Sequence, residues 1–155
     1  MNTAPPLLAW QRDLLESARV GCFSTVNAAG EPHTLPICFC WVQGSIYSPL
    51  DEKPKRVPPN QLARVRHILA RPVASLTVDH YEEDWTRLAW LRLIGEARLE
   101  DDAATRAMAL VALRIKYQQY RTMALEARPL IVLRPRRISS WRASGPEAGG
   151  QKRPS

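Results

Sequence analysis

No stretch of this sequence approaches the roughly 20 apolar residues that a helix needs to cross a bilayer. The first residues, MNTAPPLLAWQRDLLES, lack a basic start followed by a long apolar core, so no secretory signal is expected and a cytoplasmic protein is. Cysteine is scarce. Cys22, Cys38 and Cys40 are odd in number, and two of them lie two apart on what reads as one face of a strand, which argues against a disulfide framework. No second pair stands at zinc-ligand spacing, so inert buried thiols are expected. His33, His67 and His80 are far apart in the chain and show no metal-ligand spacing either, with His67 read as solvent-facing on a helix. No serine sits in a glycine-flanked elbow, and no nucleophile–base pair stands out.

The sequence is instead rich in positive charge, +7 over 155 residues. A basic balance invites a nucleic-acid reading. Much of the excess lies near the end of the chain, in Arg134, Arg136, Arg137, Arg142, Lys152 and Arg153, and no recognition helix with clustered basic residues accompanies it. Nucleic acid is therefore an unlikely partner, and a solvated surface is the commoner explanation. The length suits one domain over 1–142, with a disordered tail over 143–155 that is poor in apolar residues.

The pattern predicts a helix over 6–19 with Leu7, Trp10, Leu14, Leu15 and Ala18 on one face. A strand over 22–26, a turn at Asn27–Gly30, a strand over 31–42 and a third over 45–50 follow. Pro32 and Pro36 in the second strand point to an edge, a bulge or a place where a ligand replaces missing hydrogen bonds. The segment DEKPKRVPP is a stiff basic loop. Asn60 can cap a helix over 61–70, with Leu62, Val65, Ile68 and Leu69 buried. A strand over 72–78, a polar loop over 79–85 and a long strand over 86–100, bending at Gly95, come next. Asp101 or Asp102 caps a helix running to about Glu126 with Leu110, Leu113, Tyr117, Tyr120 and Ala124 on its buried side. The last strand runs from Leu130 to Trp141. Six strands with mostly local connections make a small, partly closed antiparallel barrel with helices, an α+β fold.

FSTVNAAGEPHTLPICF, IYSPLDEKPKR, the helix ending in RP before VASLTVD, and EDWTRLAWLRLIGEARLE, in this order, resemble the split-barrel flavin-binding proteins related to pyridoxamine 5′-phosphate oxidase. The nearest branch is the one that uses the deazaflavin coenzyme F420. The resemblance covers about residues 10–142. It implies a homodimer with the cofactor at the subunit interface and hydride transfer to or from a small unsaturated organic substrate. It also implies that Lys53 and Lys55, helped by Arg56, grip cofactor phosphate. The tricyclic ring would lie along His33, Pro36 and Ile37, beside Ser48, Pro49 and Leu50. Trp85 and Arg92 would close the pocket, often from the other subunit. The basic arrangement that true oxidases use for pyridoxal phosphate is not matched, so pyridoxamine phosphate oxidation is not expected. FMN, with a shorter tail and the same phosphate grip, is the alternative cofactor, and a non-enzymatic flavin or F420 carrier the alternative role.

Several of these residues carry a second reading. The lysine loop is either a phosphate grip or a solvated charged loop. Arg92, in mid-strand, either faces a ligand or pairs with Glu96. His33 faces a ring or is a satisfied surface histidine. His80 and Tyr81 are candidate proton donors or simply a polar loop tip. Trp85 and Trp90 stack on a ring, or serve the core or a dimer interface.

Overall fold

The computed structural model describes residues 5–51, 58 and 61–143. Ten regular elements follow in order: α1 (Ala9–Ser17), β1 (Gly21–Val26), β2 (Pro32–Ile37), β3 (Cys40–Val42), β4 (Ser45–Pro49), α2 (Ala63–Ala70), β5 (Val73–His80), β6 (Ala89–Leu99), α3 (Ala103–Lys116) and β7 (Leu130–Arg142). The seven strands form one sheet in the order β2-β1-β5-β6-β7-β4-β3, every neighbouring pair antiparallel. The sheet curls, making the fold an α+β split barrel. Among the described residues no helix is long and apolar enough to cross a membrane.

The strand count is seven, not six, because the expected strand over 31–42 breaks at Cys38 and Phe39. The two pieces go to opposite edges of the sheet. The cause lies far along the chain. The Tyr117 hydroxyl accepts a hydrogen bond from the Phe39 N–H at 3.0 Å, and it lies 3.0 Å from the Phe39 carbonyl and 2.9 Å from that of Arg19. Phe39 thus has its backbone groups satisfied outside any ladder, which is the condition for burying a break in a strand. Its ring is fully buried.

β6 and β7 carry the longest ladder. Leu91, Leu93 and Ala97 point into the core, while Arg92 and Arg98 point out, as the alternation predicts. The register shifts between Ile94 and Gly95, opposite Pro135. Proline has no N–H to give the ladder, and a bulge at that point lets the strand bend.

The core has two parts. One fills the sheet's concave side with Leu15, Phe23, Ile68, Leu76, Leu91 and Leu93. The other lies under α3 and includes Leu110, Leu113, Tyr117, Tyr120 and Leu125. Asp102 caps α3, its carboxylate accepting from the Thr105 hydroxyl at 2.6 Å and the Thr105 N–H at 2.8 Å, and these bonds hold its carboxyl below the usual range.

Several helix expectations need correction. α1 starts at Ala9; Leu15 is buried on it as expected, with Leu7, Leu14 and Ala18 packed against the core, but Gln11 is buried as well, its side chain accepting from the Leu8 N–H and donating to Ser140 Oγ, both at 2.8 Å. α3 stops at Lys116, ten residues early, because Tyr117 leaves the helix to reach Phe39. Arginines satisfy the carbonyls beyond it: Arg106 donates to those of Glu126 and Arg128, Arg114 to those of Tyr120 and Met123. Ala124 is consequently exposed and Leu125 takes the buried place. On α2, Leu69 is exposed and His67 is buried. α2 begins at Ala63; Asn60 and the tail over 144–155 lie outside the described residues. Asp79 and His80 belong to β5, and β6 begins only at Ala89, after a short 3-10 turn at Trp85–Arg87. Of the cysteines only Cys40 is buried; Cys38 is half-buried and Cys22 is exposed on the outer face of β1.

Candidate functional site

The break between β2 and β3 brings the end of β4 beside it. Ser48 is buried, and its Oγ donates to the Cys38 carbonyl at 2.8 Å. Two residues past β4, Asp51 is buried as well; its carboxylate accepts from the Tyr120 hydroxyl at 3.0 Å and its carbonyl from Arg128 Nη1 at 3.2 Å. The Leu50 N–H donates to the Pro129 carbonyl at 3.0 Å. Burial above all pushes the Tyr120 hydroxyl well above the usual tyrosine range, so it stays protonated and keeps donating. Arg64, on the first turn of α2, is shifted down by burial, a shift opposed by the Asp51 charge. Asp51 is therefore a fixed root for the basic loop that follows it. Lys53, Lys55 and Arg56 themselves lie outside the described residues.

Next to this seam is a cleft of about 470 Å³ with Arg19, Cys38, Lys116, Tyr117, Tyr120 and Met123 in its wall. Lys116 Nζ donates to the Leu15 carbonyl at 2.9 Å and sits 3.9 Å from the centre of the Phe39 ring. Arg19 in turn donates to the Lys116 carbonyl. Each cation thus serves a carbonyl at a helix C-terminus, where positive charge is favoured. Burial of Lys116 still lowers its amine from 10.5 to about 8. The unfolded chain holds that proton to higher pH than the folded one, so unfolding takes up a proton within this window and stability rises with pH across it. From about pH 7.5 to about 9 the parent is expected to gain roughly 1 kcal/mol relative to Lys116→Met. Calorimetric melts of both proteins at the two pH values check this, and a constant difference would refute it.

The convex face of the sheet is the second feature. Its cross-strand rows read Pro36–Cys22–Thr77–Arg92–Ser139 and Thr34–Ser24–Ser75–Ile94–Arg137. Thr34 and Ser24 share a hydrogen bond of 2.7 Å. The alternative partner of Arg92 is taken, since Glu96 pairs with Arg98 and, at 2.5 Å, with Arg136. Arg92 is exposed and lies 6.0 Å from the Trp90 ring.

The site residues expected from sequence thus fall into groups. Ile37, Ser48, Pro49 and Leu50 meet at the seam, and all four are buried. His33 and Pro36 are exposed on β2, an edge strand. Arg92 shares a row with Pro36 but stands three strands away, about 14 Å at ordinary strand spacing. His80, the last residue of β5, and Tyr81 and Trp85 beyond it are exposed, and Glu82 takes His80 at 3.1 Å and Arg87 at 2.9 Å. Cys38, Arg64, Lys116 and Tyr120 were not singled out as site residues. Tyr120 had only a core signal, its helical spacing, and nothing in the sequence links its hydroxyl to Asp51.

The sequence from 9 to 142 matches the family described as pyridoxamine 5′-phosphate oxidase. The chain belongs to that family. Solved structures share its fold. A conserved hypothetical protein of Mycobacterium tuberculosis superposes with a TM-score of 0.73 at 15% identity, covering 99% of this chain and 93% of its own. A protein described as an F420 reductase gives 0.63 at 21% identity, covering 86% and 98%. An FAD-binding protein of Mesorhizobium loti gives 0.63 at 18% identity, covering 86% and 94%. No curated protein matches the sequence.

Proposed function

We propose that this family member is an oxidoreductase that works with coenzyme F420, bound at a homodimer interface, on a small unsaturated organic substrate. The observation that carries the reading is the seam. Asp51, clamped by Tyr120 and Arg128, stands immediately before the basic run EKPKR in the sequence, at the seam where Ser48 holds Cys38. The residues present fit such a cofactor. Edge strand β2 offers Pro36 and Thr34 on its outer face, a mixed apolar and hydroxyl surface suited to a flat ring with polar edges, while His33 lies on the opposite face, against His67. Lys53 and Lys55, with Arg56, would neutralise its phosphate and carboxylate tail.

When bound, the cofactor supplies hydride chemistry, and the protein supplies position and charge. Ser48 Oγ fixes the Cys38 carbonyl and so the path of the chain past the ring position. Arg92 stands three strands from β2, so in this reading it acts across the dimer, together with Trp85. His80, restrained by Glu82, and Tyr81 are the candidates to hold the proton that accompanies hydride. FMN is the second reading, favoured by the FAD-binding protein of the same fold.

The test is a fluorescence titration with F420 and FMN in parallel, on the parent and on Lys53→Ala/Lys55→Ala, with sedimentation to read the assembly. F420 is expected to saturate the parent dimer, FMN to bind less tightly, and the double variant to lose about 100-fold, at roughly 1.4 kcal/mol per lysine. Tighter binding of FMN would shift the protein to the flavin reading. Failure of both to bind would overturn the reading.

A further inference from the structure

At the other end of β2 lies a separate cleft, of about 490 Å³, between the β1–β2 turn and α2. Two imidazoles meet there. The rings of His33 and His67 have centroids 4.6 Å apart, tilted by 57°. Arg66 lines the same cleft, and the rest of its wall is largely alanine from both elements. Small methyl walls leave room, and the polar groups converge.

The hydrogen bonds fix what these groups offer. Asn27 Oδ1 accepts from the N–H groups of Ala29 and Glu31 at 3.0 and 2.9 Å, so its amide nitrogen must donate. It donates to Glu31 Oε2 at 2.6 Å and lies 3.3 Å from His33 Nε2, which is therefore the acceptor. The His33 proton then sits on Nδ1. His67 is 9% exposed, and its Nδ1 pairs with the buried Thr25 hydroxyl at 2.8 Å. Among the described residues no group bonds its Nε2, which is left to the cleft. Around them stand Arg66 and Arg71, the latter reaching the Ala28 carbonyl at 3.4 Å. α2 carries no acid. The one carboxylate at the turn, Glu31, is engaged by Asn27.

Charge decides between the two ligands that a histidine pair could take. A metal cation would meet two guanidinium groups and only two nitrogens, and no group of three or more metal-ligating side chains exists among the described residues. An anion meets guanidinium cations and N–H donors, against the single carboxylate of Glu31, which Asn27 holds at the turn. We propose that this cleft is an oxyanion site, taking a phosphate or carboxylate group against His33, His67 and Arg66. Unliganded, His67 is pushed toward its neutral form by burial, by His33 and by Arg66. A bound anion reverses that balance, so binding takes up a proton and strengthens as pH falls. The site stands whether or not F420 or FMN binds, and it is separate from the lysine loop in sequence.

Sulfate is the cleanest probe, because it stays a dianion between about pH 6 and about 8 and any pH dependence is then the protein's. Histidine ring resonances of the parent are followed by NMR through a sulfate titration at both pH values. Saturable shifts at His33 and His67 are expected, with about tenfold tighter binding at the lower pH. Arg66→Gln, at an exposed position, is expected to weaken binding about tenfold and Lys53→Ala/Lys55→Ala to leave it unchanged. Inorganic phosphate and glutarate, run in the same way, tell a phosphate site from a carboxylate site. Absence of saturable shifts at the lower pH, equal affinity at both, or an Arg66→Gln protein that binds as the parent does would each overturn the proposal. A His67 that only fills space under α2 predicts those last results.

Discussion

Gly95→Val is expected to lower the melting temperature by about 10 °C or to prevent folding. A Cβ at position 95 would lie 1.9 Å from the Arg134 carbonyl oxygen and 2.8 Å from Pro135 Cα. Both are backbone atoms of β7, so no rotamer change relieves the clash. β7 must move or the register at the bulge must change, and either disturbs the longest ladder in the sheet. Overpacking of this kind costs about 3 kcal/mol or more, and in a chain of this size each kcal/mol is roughly 2–4 °C. Even alanine carries the Cβ, so Gly95→Ala should fall in the same direction by a comparable amount. Thermal denaturation by circular dichroism measures both. An alanine variant that melts with the parent would mean that the bulge yields at little cost.

Tyr117→Phe removes one oxygen and is expected to destabilise the protein by about 2–3 kcal/mol. The hydroxyl accepts from the buried Phe39 N–H and has a carbonyl on either side to receive its own proton. Its loss leaves a buried donor without a partner at the break between β2 and β3. Burial raises the Tyr117 hydroxyl to about 12, so it remains a donor at any working pH. Urea unfolding of the variant reads the loss directly. A second signature separates this from ordinary core damage: Cys38, half-buried beside the break, should react faster with a thiol reagent in the variant under native conditions. An unchanged rate with an unchanged midpoint would show that the break does not depend on this hydroxyl.

The local features of the fold were legible because they are written in a few adjacent residues. Gly30, in the turn expected at Asn27–Gly30, has a φ of 85°, which glycine adopts without strain. The two-residue alternation from Ala89 to Leu99 gave β6 its faces, and Asp102 marked the start of α3. The break at Cys38 was not legible. LPICFCW alternates as an unbroken strand does, and what interrupts it is a tyrosine 78 residues further on. His67 was misplaced for a similar reason: on a helix beside two arginines it reads as surface, and only the buried Thr25 hydroxyl across the fold gives it a place inside. In the candidate site, the neighbourhood of Ile37 and Ser48–Leu50 was visible from the order of the strands. The anchoring of Asp51 was not, since it rests on Tyr120 and Arg128, which lie beyond the point where α3 stops although the helical spacing runs on through Tyr120.

The two edges of the sheet, β2 and β3, are the strands furthest apart in its order yet consecutive in the chain, with only Cys38 and Phe39 between them. Closing a ring of strands usually means joining its first and last members through a long excursion, at a conformational entropy cost that grows with the logarithm of the loop. Here the ends of the ring are consecutive. The step that turns a curved sheet into a barrel adds almost no loop to close, and it can form as early as the hairpins on either side of it. A cut or an inserted flexible segment between Ile37 and Cys40 would turn a two-residue connection into the least local one, and the barrel would open along that line.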